Sequence, residues 1–135
     1  HLYLDLNGGI GNFYIRDGTT TRFTFDDAGH FTATGDINSN SDIKLKTNIK
    51  TLSNSLDKVL NMRGVEYDRI DMNGKHQIGV IAQEVEEIVP ELVSDNDGTK
   101  TVSYGNITAL LIEAIKEQNK EINILKEEIK LLKIK

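Results

Sequence analysis

The chain has no cysteine, so it has no disulfide framework and no thiol chemistry. It has no apolar run near the ~20 residues a membrane-spanning helix needs, and no stretch resembling a signal peptide. Membrane insertion is not expected. It has no excess of positive charge. Sixteen Lys and Arg stand against 21 Asp and Glu, a formal net charge of -5, which argues against a nucleic-acid footprint. It has no Ser-His-Asp set and no cluster of metal ligands, and its three histidines are scattered. Neither a metal nor any other cofactor is expected, and a hydrolase acting on outside substrates is a weak reading. What remains is 135 residues with 38% hydrophobic content, enough for one domain or two small ones. The chain begins at His1 rather than at Met, and we expect the C-terminal piece of a longer protein.

Residues 1–40 read as short strands. Leu2, Leu4 and Leu6 alternate with other residues, as do Phe13 with Ile15 and Phe23 with Phe25. A period of two marks strands with one buried face. Turn signals recur at Asn7-Gly8-Gly9, Asp17-Gly18, Asp27-Ala28-Gly29 and Gly35-Asp36. A β-meander is predicted. Segments of ~40 residues or fewer usually need disulfides, metals or oligomerisation. The first two are not expected here, so the strands are predicted to pair with other copies. Gly8-Gly9-Ile10-Gly11 is no phosphate loop, because no βαβ unit follows it. The aromatic residues Tyr3, Phe13, Tyr14, Phe23, Phe25 and Phe31 suit core packing better than a sugar site.

Ser41-Asp42-Ile43-Lys44-Leu45-Lys46 lies at a change of composition. Taken alone, its serine and lysine suit a surface loop, with Ser41 or Asp42 as an N-cap. Leu52 to Met62 shows a helical face, with Ser53 or Asn54 as the cap and Gly64 after its end. Val65-Glu66-Tyr67-Asp68 and Gln77-Ile78-Gly79-Val80 read as a hairpin around Asp71-Met72-Asn73-Gly74-Lys75. Ile81 to Val89 should be helical and end at the single proline, Pro90. Leu92-Val93 and Thr101-Val102-Ser103-Tyr104 form a second pair around Asp95-Asn96-Asp97-Gly98. That loop lacks the glutamate of a calcium loop, so it reads as a turn. Asn106-Ile107-Thr108 fits a glycosylation sequon, but nothing supports the secretory context it needs.

Residues 106–135 carry heptads. Ile115, Ile122 and Ile129 fall at a; Leu111, Gln118, Leu125 and Leu132 fall at d. Glu121 and Glu128 at g face Lys126 and Lys133 at the following e, as in a parallel coiled coil. Ile at a with Leu at d favours a dimer, whereas Gln118 at d suits a three-fold axis; the heptads leave both open.

Four blocks occur in order: Ser41–Lys46, His76 through Val85, Pro90–Val93 and Tyr104 through Leu111. Together they resemble the C-terminal intramolecular chaperone domain of phage tailspikes and tail fibres. This is the peptidase S74 domain of the endosialidase tailspikes, with a relative in a membrane-bound eukaryotic transcription factor. The resemblance runs from Ser41 to the end. It implies an α+β chain in two parts. Residues 1–40 would be the distal β-structured fibre tip, an intertwined trimer similar to the end of an L-shaped tail fibre. Residues 41–135 would be a mixed α/β chaperone and autoprotease domain ending in the coiled coil of 106–135. It implies a homotrimer, with residues 1–40 meeting a host cell-surface glycan or protein. It implies a virion location for the fibre and release of the chaperone into the host cytoplasm.

The resemblance also implies self-cleavage between Ser41 and Asp42 by a catalytic dyad of Ser41 and Lys46. Supporting roles fall to His76, Gln83 and Glu84, which match the second block, although for Glu84 a solvent-facing helix position is as good a reading. The family pattern often has a basic residue directly after Ser-Asp, where Ile43 stands here. A serine hydroxyl needs a base to become a nucleophile. A lysine is a base only when neutral; its reference pKa of ~10.4 must be brought down by burial or nearby positive charge. Within one residue, attack by Ser41 on its own carbonyl would close a four-membered ring. Attack on the Asn40 carbonyl, a neighbouring chain's Ser41, the Asp42 carboxylate and an activated water all remain open. The alternative to self-cleavage is a non-cleaving trimeric fibre tip with a permanent coiled coil.

Overall fold

The computed structural model describes residues 11–26 and 29–133. The expected Leu2-Leu4-Leu6 strand, Tyr3, and the turns at Asn7-Gly8-Gly9 and Asp27-Ala28 lie wholly or partly outside them. The chain divides into two compact units, one ending at Asn48 and one starting at Ile49.

In the first unit, β1 (Phe13–Asp17), β2 (Thr20–Phe25) and β3 (Phe31–Ala33) form an antiparallel sheet in chain order. This is the predicted meander. Gly18 supplies the positive φ of the first turn. Phe13 pairs with Phe25, Ile15 with Phe23, and Phe25 with Phe31. Directly opposed residues share a face. The Phe25 and Phe31 rings meet at 4.9 Å between centroids, with Phe13 5.8 Å from Phe25 and Phe31 5.9 Å from Phe23. Yet Phe25 and Phe31 each stay 43% exposed. Among the described residues of this unit no second layer lies on the aromatic face.

The second unit is mixed α/β with two hairpins. Its elements are α1 (Ser55–Asn61), β4 (Val65–Arg69), β5 (Lys75–Gly79), α2 (Ala82–Ile88), β6 (Val93–Asn96), β7 (Thr99–Val102) and α3 (Tyr104–Lys133). Both hairpins close within the predicted turn segments. Asp97-Gly98 closes β6–β7 as a two-residue turn with two successive positive φ angles, as type I′ requires. The β4–β5 loop is longer, a 3-10 turn over Ile70–Met72 followed by Asn73 and Gly74 at positive φ. Pro90 ends α2 and also opens a short 3-10 turn over Pro90–Leu92. β7 stops at Val102, and Tyr104, expected in that strand, instead begins α3.

Among the described residues Val85, Leu92, Leu110 and Ala114 are the buried apolar ones, drawn from α2, the Pro90 turn and α3. α1 lies along α3. Gly79, at the end of β5, leaves room for the Tyr104 and Tyr67 side chains. A Cβ there would sit 2.6 Å from the Tyr104 hydroxyl and 3.3 Å from that of Tyr67. The apolar stripe expected to form a coil seam is uncovered in the single chain: Ile115 is 63% exposed, and Ile122, Leu125 and Ile129 are also exposed.

α1 starts at Ser55, three residues later than its apolar pattern begins. Asn54 stands at the cap position in the left-handed region, but its side chain makes no capping bond. The cap comes from α3. Glu117 accepts from the Ser55 N–H at 3.1 Å and from the Leu56 N–H at 2.8 Å, across 62 and 61 residues. These free N–H groups are the ordinary orphans of a helix start. The two bonds favour the carboxylate and hold the Glu117 pKa below its usual value, the Leu56 N–H contributing most. A depressed carboxylate pKa adds stability above the unfolded-state pKa, and that stability is lost as pH falls through the folded-state value. We therefore expect the melting temperature to drop between pH 6 and pH 3. Glu117→Gln should lower it by roughly 4 °C at pH 6 and shrink its acid dependence. Calorimetry at both pH values checks this; an unchanged acid dependence in Glu117→Gln would refute it.

Candidate functional site

The chain at Ser41–Lys46 folds back on itself. Asp42 is extended, and its side chain accepts from the Lys44 N–H at 2.9 Å. A single 3-10 turn follows over Ile43–Leu45. The Leu45 N–H donates to the Asp42 carbonyl at 3.1 Å and the Lys46 N–H to the Ile43 carbonyl at 3.0 Å. This turn returns the Lys46 side chain to Ser41. Its Nζ lies 2.7 Å from Ser41 Oγ and 2.8 Å from the Ser41 carbonyl oxygen.

That second contact concerns the peptide bond between Ser41 and Asp42. An amine with one lone pair and two N–H groups can take the hydroxyl proton and donate to the carbonyl from one position. The Lys44 Nζ lies 3.1 Å from Asp42 Oδ2. The Lys44 N–H and the Lys44 ammonium together hold the Asp42 carboxyl below the usual range. Every side chain in this turn is exposed in the single chain.

The other predicted residues belong to the second unit and have local partners. His76, on β5, sits across from Asp68 on β4, with Nδ1 2.8 Å from Asp68 Oδ1 and Nε2 3.9 Å from Glu66 Oε2. Glu84 is gripped by Arg63 through both oxygens, at 2.6 and 2.9 Å. The guanidinium holds the Glu84 pKa down, and Glu84 raises that of Arg63. The pair ties α2 to the segment after α1. Gln83 lines a cleft of about 520 Å³ with Tyr67, Ala82, Thr101 and Tyr104. The Tyr104 hydroxyl accepts from the Val80 N–H at 3.3 Å at the same place. Among the described residues no group of three or more His, Cys, Asp or Glu could hold a metal ion.

Residues that sequence reasoning missed are Glu117, Arg63 and Tyr104 as a packing partner of Gly79. Glu117 falls at c of the heptad, off the seam, so no periodicity singled it out. Arg63 and Glu84 are 21 residues apart and share no local pattern.

Ser41 and Lys46 are in contact, and a mixed α/β unit with a long terminal helix follows them in the chain. Residues 41–94 match the peptidase S74 family, described as chaperone of endosialidase. Over 92% of its length the chain is 36% identical to the long tail fiber protein Gp37 of Salmonella phage S16. It is 38% identical to the Gp37 proteins of Enterobacteria phages M1 and Ox2, over 73% and 67% of its length. The chain spans 20%, 42% and 40% of these relatives, less than half of each.

Proposed function

We propose that the chain is the C-terminal part of a phage long tail fibre. Residues 1–40 form the distal tip and contact the host surface. Residues 41–135 bring three copies into register through a coiled coil of α3 and then cut themselves off between Ser41 and Asp42. The fibre stays with the virion, and the freed domain stays in the host cytoplasm.

The observation that carries this reading is Lys46 Nζ on both Ser41 Oγ and the Ser41 carbonyl oxygen. The contact polarises the carbonyl of the bond to be cut, which favours addition there. The Asn40 carbonyl receives no such contact from Lys46 Nζ. The Ser41 hydroxyl cannot reach its own carbonyl carbon, and the Asp42 carboxylate is committed to Lys44. The attacking oxygen therefore comes from outside residues 41 and 42. It is a water deprotonated through Ser41 and Lys46, or the Ser41 hydroxyl of a neighbouring copy. With water, a C–O bond forms, the C–N bond breaks and the Asp42 nitrogen leaves as an amine carrying the proton. With a neighbouring serine, an ester forms first and water then opens it. Both routes leave a carboxylate on Ser41.

Lys46 is exposed in the single chain, and only a neutral lysine serves as base. Assembly supplies the burial, so cleavage reports that three chains have joined. The uncovered aromatic face of the sheet and the open seam of α3 support this need for neighbours. The cut lies inside the first compact unit, so the Ile43–Leu45 turn leaves with the chaperone. The test is intact mass after expression. Wild type should give two fragments, one ending at Ser41 and one beginning at Asp42, while Ser41→Ala stays whole. If wild type and Ser41→Ala both run at full length, self-cleavage is wrong and a permanently attached coil is the better account.

A further inference from the structure

We propose that Asp42 is the positioning residue of this site: its carboxylate caps the turn that folds Lys46 back onto Ser41. The inference rests on the self-cleavage reading above and deepens it. Six extended residues would hold Ser41 and Lys46 Cα atoms about 17 Å apart. The 3-10 turn removes that distance, and Lys46 Nζ then reaches both oxygens of Ser41.

Such a turn does not stand by itself. It is three residues long, and none of them is buried. A short helical segment with no packing has an unfavourable nucleus. What it has is Asp42. Its backbone is extended, as an N-cap requires, and its Oδ1 accepts from Lys44 N–H two residues on. Its Oδ2 holds the Lys44 ammonium at 3.1 Å, which also keeps that cation beside the turn. The Asp42 carbonyl accepts the first bond of the turn from Leu45. Asp42 thus contributes both its carboxylate and its carbonyl to the fold-back, while its N–H lies in the bond to be cut. An aspartate after the cut is then explained by geometry rather than by a chemical role.

Substitution separates the two roles. Asparagine caps about as well as aspartate, and alanine does not. Asp42→Asn should cut within about threefold of wild type, and Asp42→Ala should cut roughly 3- to 30-fold more slowly, the population lost with one cap. Lys44→Ala keeps the cap and should stay near wild type. The readout is fragment formation by mass over time, with far-UV circular dichroism and light scattering confirming that each variant folds and assembles. If Asp42→Asn is as slow as Asp42→Ala while wild type cuts, the carboxylate acts in the chemistry and the proposal is overturned. Wild-type cleavage in Asp42→Ala also overturns it, while leaving self-cleavage intact. An uncut wild type overturns self-cleavage itself. A second measurement does not depend on cutting. In the Ser41→Ala chain the Lys44 amide resonance should follow the titration of Asp42, and a Lys44 amide blind to that titration removes the cap.

Discussion

Lys46→Ala should leave the chain whole on a denaturing gel under conditions where the proposed self-cleavage cuts wild type. Two contributions disappear together. One is the base for the Ser41 hydroxyl, and positioned acid-base groups contribute typically about 10²- to 10⁴-fold. The other is the N–H on the Ser41 carbonyl oxygen, 2.8 Å away. Lys46→Arg separates them. A guanidinium keeps a donor and a positive charge but does not deprotonate in proteins. The arginine variant should therefore also stay uncut, although it can still polarise the carbonyl. Cleavage at the wild-type rate in Lys46→Arg would assign Lys46 to the carbonyl alone, and cleavage at that rate in Lys46→Ala would remove it from the site. Because Lys46 is exposed, neither change disturbs a core, and both variants should still assemble.

The second large effect is on assembly. Ile122→Lys together with Ile129→Lys should convert the proposed trimer to monomers and stop the proposed cleavage as a consequence. In the single chain these side chains are 42% and 50% exposed, so a lysine at either site costs the chain itself little. In a closed three-stranded seam the same change places six ammonium groups where apolar contact is needed. Burying unpaired charge costs several kcal/mol per group, so association should weaken by at least ~10³-fold. Glu121, Lys126, Glu128 and Lys133 pair with no described residue, whereas Glu113 with Lys116 and Glu127 with Lys130 form pairs along α3. Lys120, at f, pairs with no described residue either; the heptads assign Glu121, Lys126, Glu128 and Lys133 to contacts between chains. Light scattering gives the mass and a gel gives the cleavage. A double-lysine variant that remains trimeric would move the interface to another face of α3.

What could be read from the sequence was what neighbours along the chain decide. Asn73-Gly74 and Asp97-Gly98 fix their turns through backbone preference, and both hairpins follow. The alternation of Phe13 with Ile15 and of Phe23 with Phe25 set one face, and the sheet pairs those residues across strands. The 3.5-residue spacing of isoleucine and leucine marked α3. At the site, Asp42 was named as a cap candidate because Asp is a short-range acceptor. What escaped was set by tertiary contact. Asn54 is a good cap by type, yet it turns left-handed and Glu117 takes its place from 62 residues away. Gly79 carried no turn signal, because its role is to leave room for Tyr104. The resemblance implies supporting roles for His76 and Glu84; in the structure His76 makes a cross-strand pair with Asp68, and Arg63 grips Glu84 at two points.

The Glu117 bonds to α1 also set a clock for synthesis. The first turn of α1 is translated 62 residues before the carboxylate that completes it. During that interval the helix has open N–H groups and no α3 to lie on. The seam residues between Ile115 and Leu132 are made last as well. Chains that stall before Glu117 would present neither the finished helix nor the seam, and a ribosome-truncated copy would be left out of the fibre. If the chains assemble through α3 as proposed, order of synthesis thereby favours full-length chains.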